Sequence, residues 1–280
     1  MDTPRDHYVQ VGKVKTRYWD EGDGDPPVVL IHGIGCYIEN WLPSLGALAE
    51  RHRVCALDIL GHGRTDKPAD AGYGTADLAR FVREFMEAVG IERAHVVGHS
   101  LGGAIATRLA LLYPSAVERL VLVASAGFGK EVCMELRLCT IPVAGEMLTR
   151  PGRSASAQTL KMCVHDEAHV TEESVDLDLE MASLPGAQQG FLRTLRACGG
   201  FLTGQGMSMR GPNLEGIGSI DAPVLVVWGR EDKVIPVEHA DVIAAAGNDV
   251  RVEVLDGCGH TPMLERTEAF NDLVCEFLAA

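Results

Sequence analysis

One serine in this chain stands where an apolar strand turns sharply into a helix. Residues 98–102 read Gly98-His99-Ser100-Leu101-Gly102. The run AHVVGHS at 94–100 leads into it, and an Ala/Leu-rich segment at 101–113, stopped by Pro114, leads out. Glycines two residues to either side of the serine permit a turn tight enough to present its hydroxyl. The start of a helix beside it adds partial positive charge. Such a hydroxyl becomes a nucleophile once a base removes its proton.

A base and an acid follow in the order this chemistry uses, serine, then acid, then histidine. His260 lies in Asp256-Gly257-Cys258-Gly259-His260, just after the apolar segment 251–256. The glycines make a turn that can aim an imidazole over the end of a sheet. Asp232 lies in Gly229-Arg230-Glu231-Asp232-Lys233, just past the run PVLVVWG at 223–229. Glu231 is the rival carboxylate; distance from the strand end favours Asp232. Helix capping, or pairing with Arg230 or Lys233, is its ordinary alternative. As orienter, the carboxylate accepts the Nδ1 proton of His260 and stabilises the imidazolium.

Negative charge developing on an attacked carbonyl needs donors. His32-Gly33-Ile34-Gly35 follows the buried run VVLI. The main-chain N–H of Ile34, with that of Leu101 after the nucleophile, supplies an oxyanion hole. Each such donor is worth about 3–4 kcal/mol in the transition state. His32 itself reads as a structural residue satisfied by local backbone. No metal and no organic cofactor is required.

The elements that must position these groups alternate between strand and helix. An antiparallel hairpin is expected from 8–11 and 14–20, then strands near 28–31, 53–58, 94–100, 119–125, 223–229 and 251–256. Helices fall near 38–50, 75–90, 101–113, 236–246 and 265–279. The β-branched runs are those of buried parallel strands. Residues 127–212 break the alternation: they are helical in pattern and interrupted by Pro142, Pro151 and Pro185. An α/β core of residues 1–126 and 213–280 with a helical cap at 127–212 is therefore expected. Ligands of open parallel sheets bind at the carboxyl ends of the strands, so the cap would roof the site.

Composition narrows the partners. The chain has 280 residues and a formal net charge of −14. That acidity argues against nucleic acid and against anionic membrane surfaces. No apolar leader opens the chain, and no apolar run approaches the roughly 18 residues of a membrane span. The eight cysteines form no CxxC pair, and Cys55 and Cys275 sit in apolar segments. Free thiols in a reducing cytoplasm are expected.

Five landmarks in order give a resemblance: HGIG at 32–35, DILGHGRTDKP at 58–68, GHSLGG at 98–103, GREDKVIP at 229–236 and GCGHTP at 257–262. On these the chain resembles the α/β-hydrolase superfamily over essentially its whole length. The resemblance implies an eight-stranded, mostly parallel sheet with helices on both faces and a helical cap. Dehalogenases and epoxide hydrolases of this fold use an aspartate where this chain has Ser100. The C–C bond hydrolases of aromatic degradation typically carry Asn before the nucleophile and Trp after the histidine; here stand His99 and Thr261. The expected activity is hydrolysis of small, largely apolar esters or lactones through an acyl-enzyme. Two alternatives remain. A C–C hydrolase of a vinylogous diketone would need a cap arginine such as Arg193 or Arg196. A weakly catalytic ligand receptor would retain the fold without turnover.

Other features read more plainly. His165 and His169, in HDEAH, are four apart on an expected cap helix, but Asp166 stands where a metalloprotease motif has Glu. A solvated face is the better reading. Met134, Met147, Met162, Met181, Met207 and Met209 could soften an apolar pocket or simply pack the cap. Asp58, His62 and Arg64 are expected to tie down their own loop.

Overall fold

The computed structural model describes residues 3–129, 131–198 and 212–280. Eight strands form one sheet: β1 (His7–Val11), β2 (Val14–Glu21), β3 (Val28–Ile31), β4 (Val54–Leu57), β5 (Ala94–His99), β6 (Val117–Val123), β7 (Val224–Gly229) and β8 (Val250–Leu255). Their order is β1-β2-β4-β3-β5-β6-β7-β8. β1 and β2 are antiparallel, as are β2 and β4, and every later pairing is parallel. The central strands carry apolar side chains on both faces because both faces are covered. Alternate residues go to opposite cores. Val29, Ile31, Val96 and Val226 meet α2 (Thr75–Ala88), α3 (Leu101–Leu112) and α10 (Glu238–Ala246). Val28, Leu30, Val97 and Val227 meet α1 (Leu42–Ala49) and α12 (Thr267–Ala279).

Between β6 and β7 the described residues are helical. They form α4 (Met134–Cys139), α5 (Ala144–Leu148), α6 (Arg153–Cys163), α7 (Glu172–Ala182), α8 (Ala187–Cys198) and α9 (Pro212–Gly216). α6 packs on α7, and α8 on α4, α5 and α7. HDEAH departs from expectation. Val164 is extended and only Glu167–His169 makes a 3-10 turn, with Asp166 capping it from outside. A short polar side chain that accepts from the backbone two residues on offers the chain an alternative to helix. The methionines also separate: Met134 and Met147 are exposed, Met181 is buried and Met162 packs on the core. Met207 and Met209 lie outside the described residues. A short α11 (Pro262–Glu265) precedes α12, which matches the expected final helix from Thr267 on. Among the described residues no helix is long and apolar enough to cross a membrane. All eight cysteines are free thiols.

Asp58 fixes the loop after β4. It is fully buried and accepts from the N–H groups of Ile38 at 2.9 Å and Arg64 at 2.8 Å. Buried Arg17 pairs with it and with Glu39 and Asp6. Arg64 bonds Glu180 of α7 at 2.8 Å, joining this loop to the helical layer.

The core also holds neutral histidines. His95 on β5 is buried, stacks edge-on against His52, and has no partner at either ring nitrogen among the described residues. Burial is the largest cause pushing its pKa down to about 4. Unfolded, the ring titrates near 6.5, so between those values the unfolded chain binds the extra proton. Stability therefore falls as pH drops from about 6.5 toward 4, by up to about 1.4 kcal/mol per pH unit for this group. His95→Phe is expected to remove that part of the slope. Relative to wild type, it should gain about 2 kcal/mol between pH 7.5 and pH 5. Any overpacking cost is the same at both pH values and cancels. Denaturant titrations at the two values check this; parallel pH profiles would contradict it.

Candidate active site

β5 ends at His99, and Ser100 takes φ 54°, ψ −117° before α3 begins. This is the left-handed region, which costs a side-chain-bearing residue on the order of 1–3 kcal/mol. The surroundings impose it. Ser100 N–H donates to Val123 O at 2.9 Å, while Ser100 O accepts from Gly103 at 3.0 Å and Ala126 at 3.0 Å. A β-carbon at Gly102 would overlap the carbonyl of Ile31, so glycine there lets α3 start hard against β3. Ser100 is 6% exposed.

The loop after β3 packs on this turn. A β-carbon at Gly33 would sit 3.1 Å from Ser100 Cβ and 3.1 Å from His99 Nδ1. His32 holds the loop: Nδ1–H donates to Gly33 O at 2.8 Å, and Nε2 accepts the Ile59 N–H at 3.1 Å. Burial lowers its pKa to about 4, consistent with a neutral ring that accepts from an amide. Its structural reading therefore stands. Leu101 follows Ser100 in the chain, and Ile34 follows Gly33, which packs on the serine turn. Among the described residues neither N–H donates to another main-chain group. Leu101 opens a helix, where such donors are left over.

Asp232 and His260 meet. His260 Nδ1 lies 2.7 Å from Asp232 Oδ2, with the carboxylate fully buried and the ring 4% exposed. Asp232 Oδ1 accepts the N–H groups of Val234 at 2.8 Å and Ile235 at 2.9 Å. One oxygen thus builds the turn and the other faces the ring, so the capping and orienting roles coexist. Arg230 pairs with Asp256, and Lys233 reaches Val164 O at 3.3 Å; neither bonds Asp232. Glu231, the rival, accepts the Cys258 N–H at 2.9 Å and stiffens the histidine loop instead.

His99 joins the serine turn to the histidine loop. Its Nε2 lies 2.8 Å from His260 O, which can only accept, so the proton sits on Nε2. The two rings are 4.8 Å apart. Burial, then the neighbouring His260, holds His99 well below the ordinary histidine range. Two further residues escaped sequence reasoning as supports of this site. One is His99. The other is Glu265, 6% exposed, which accepts from Gly259 and from His165. A glutamate in the otherwise apolar turn Pro262-Met263-Leu264 was the available signal, but its partners are remote in sequence.

The arginines expected to serve a carboxylate substrate are engaged elsewhere. Arg196 forks onto Glu146 at 2.8 and 3.0 Å and donates to Thr140 O at 3.2 Å. Arg193 bonds Tyr73. Half-buried Asp178 on α7 lies near Cys36, Tyr37 and Cys163, and partial burial raises its own pKa. Burial pushes the thiol of Cys36 up to about 12 and that of Cys133 to about 11. Thiols held protonated do not compete as nucleophiles. Among the described residues no cluster of side chains could hold a metal ion.

Comparison with known proteins gives the same architecture. The family profile described as alpha/beta hydrolase fold matches residues 26–267. The chain is 31% identical to a 2-hydroxy-6-oxo-6-(2'-aminophenyl)hexa-2,4-dienoic acid hydrolase of Metapseudomonas resinovorans, covering 98% of this chain and 91% of that one. Its structure is similar to a meta-cleavage product hydrolase from Pseudomonas fluorescens, with a TM-score of 0.85, 29% identity, and 98% and 97% of the two chains covered. It is equally similar to a putative lipase from Acinetobacter baumannii, with a TM-score of 0.85, 26% identity, and 98% and 91% covered. With the eight-stranded sheet, the strained serine turn and a match over most of its length, this chain belongs to the alpha/beta hydrolase fold family.

Proposed function

We propose that this chain is a serine hydrolase that cleaves esters of small, uncharged, largely apolar acids through an acyl-enzyme. The observation that carries the reading is the 2.7 Å contact between buried Asp232 and His260 Nδ1, beside a serine held at φ 54°. Ser100 Oγ attacks the ester carbonyl as His260 Nε2 takes its proton. The amides of Ile34 and Leu101 receive the oxyanion. His260 then protonates the departing alcohol, and next activates the water that releases the acid. Asp232 holds the ring in the tautomer that leaves Nε2 free to accept, and stabilises the imidazolium. No step needs a metal or organic cofactor.

The helices of 127–212 act as a cap over the site, with 1–126 and 213–280 as the core. The preference for uncharged acyl groups rests on the cap arginines that a carboxylate would need: Arg196 is held by Glu146 and Arg193 is engaged with Tyr73. Free thiols and a net charge of −14 support a reducing, cytoplasmic setting, with a small molecule rather than nucleic acid or membrane as partner.

A second reading is C–C cleavage of a vinylogous diketone; it is favoured by similarity to a hydrolase of a 2-hydroxy-6-oxo-dienoic acid and to a meta-cleavage product hydrolase. One panel decides between them. p-Nitrophenyl esters from acetate to decanoate are assayed beside a 2-hydroxy-6-oxohexa-2,4-dienoate, with Ser100→Ala as control. Ester kcat/KM at least about tenfold above that for the dienoate supports the ester reading; each tenfold corresponds to about 1.4 kcal/mol of transition-state binding. The reverse ratio transfers the assignment to the C–C hydrolase. Turnover of neither points to a receptor.

A further inference from the structure

The helical layer touches the base through one short backbone segment. After α6 the chain runs extended through Val164, at φ −113°, ψ 153°. Here Cys163, Val164 and His165 lie along both loops that carry the acid and the base. His260 N–H donates to Cys163 O at 2.8 Å. Thr261 Oγ1 donates to the same carbonyl at 3.4 Å, and Lys233 Nζ to Val164 O at 3.3 Å. Glu265 closes the arrangement. Its Oε2 accepts the His165 N–H at 2.6 Å, and its Oε1 accepts the Gly259 N–H at 2.8 Å. Thr261 Oγ1 also reaches Oε1, at 3.4 Å. The approach is close enough that a β-carbon on Gly259 would lie 2.7 Å from His165 N. At the first stem of the layer, Cys133 N–H donates to Val234 O at 2.9 Å, two residues past Asp232.

We propose that Glu265 is a positioning residue that latches the cap to the base, so that docking of segment 163–165 and placement of the His260 ring are one event. The proposal rests on His260 being the general base. Each carboxylate oxygen holds one amide, one on either side of the interface. Bonds to an ionised acceptor are about twice as strong as neutral ones, and a buried donor left without its partner is costly. The residue fixed on the core side is the neighbour of His260, and His260's own N–H is fixed by the cap. A cap lifted from Glu265 therefore also releases the backbone that aims the imidazole.

Two variants separate the latch from general support of the fold. Glu265→Gln keeps the shape but turns an NH2 toward one of the two N–H donors, so one bond is lost. His165→Pro removes only the cap-side donor and leaves the Gly259 bond intact. Extended Val164 suits a following proline. Both are measured in the full chain by kcat and KM on the best substrate of the panel, and by amide hydrogen exchange at 163–166 and 257–261. The latch predicts kcat lowered about ten- to hundredfold in each folded variant, since a small misplacement of a catalytic group costs that much. KM should stay within about threefold, because ground-state contacts are untouched. Exchange should rise at 257–261 even in His165→Pro, whose change lies across the interface. Wild-type exchange at 257–261 in His165→Pro, or wild-type kcat in folded Glu265→Gln, overturns the proposal. If Glu265→Gln does not fold, His165→Pro decides alone. If the wild type turns over nothing, the general-base reading fails, and the exchange measurement still decides the coupling.

Discussion

Ser100→Ala is expected to lower kcat by a factor on the order of 10⁵–10⁶, with the melting temperature almost unchanged. Alanine meets the same backbone strain at φ 54° as serine, and the main-chain bonds that impose it remain. Only the attacking oxygen is lost. Residual turnover would come from the amides of Ile34 and Leu101 and from binding. His260→Ala should cost about as much, and the double variant little more, because nucleophile and base act as one unit. Single-turnover and steady-state rates on the best ester check this. A Ser100→Ala enzyme within about tenfold of wild type would remove the serine from the mechanism, since no acyl-enzyme could then form.

The second large effect is expected at Asp232→Asn, a fall of about 10⁴ in kcat with the fold intact. Asp232 does two things with two oxygens. Oδ1 accepts from Val234 and Ile235, and Oδ2 faces His260 Nδ1. Asparagine keeps one acceptor, and two backbone donors hold it on the turn. Its NH2 is then left facing the ring. His260 Nδ1 must accept rather than donate, which puts the proton on Nε2, where the hydroxyl of Ser100 needs a lone pair. The loss should appear in kcat with little change in KM or melting temperature. Asp232→Ala should also lower the melting temperature, because the turn loses its acceptor too. Equal rates in Asp232→Asn and wild type would show that Glu231, not Asp232, orients the base. That would require Glu231 to leave Cys258.

Much of this was legible in the sequence because it depends on local rules. The strand–helix alternation follows from β-branched runs and helical stripes, and all eight strands start within two residues of expectation. β1, β3 and β8 show how little tertiary context such runs need. The serine turn was legible because only glycines at 98 and 102 admit it. Asp232 and His260 were legible by order and by distance from a strand end.

HDEAH sets two histidines at helical spacing, but Asp166 caps the following turn from outside and bends the chain out of helix. By sequence Glu231 competes with Asp232 for the base, whereas its partner in the structure is an amide 27 residues away. Arg196 looked free for a substrate because nothing nearby in sequence claims it; Glu146, 50 residues earlier, does.

By itself, the sequence determined the fold family and the order in which a candidate serine, carboxylates and histidine follow one another at strand ends. Local stereochemistry and periodicity act over a few residues and leave their mark there. Only the tertiary structure decided which carboxylate faces the base, which arginines are already paired, and that Glu265 joins two loops. A buried hydrogen bond is set by geometry and desolvation between groups brought together by the packed sheet. The His165–Glu265 pair spans 100 positions, and no pattern within either segment encodes it.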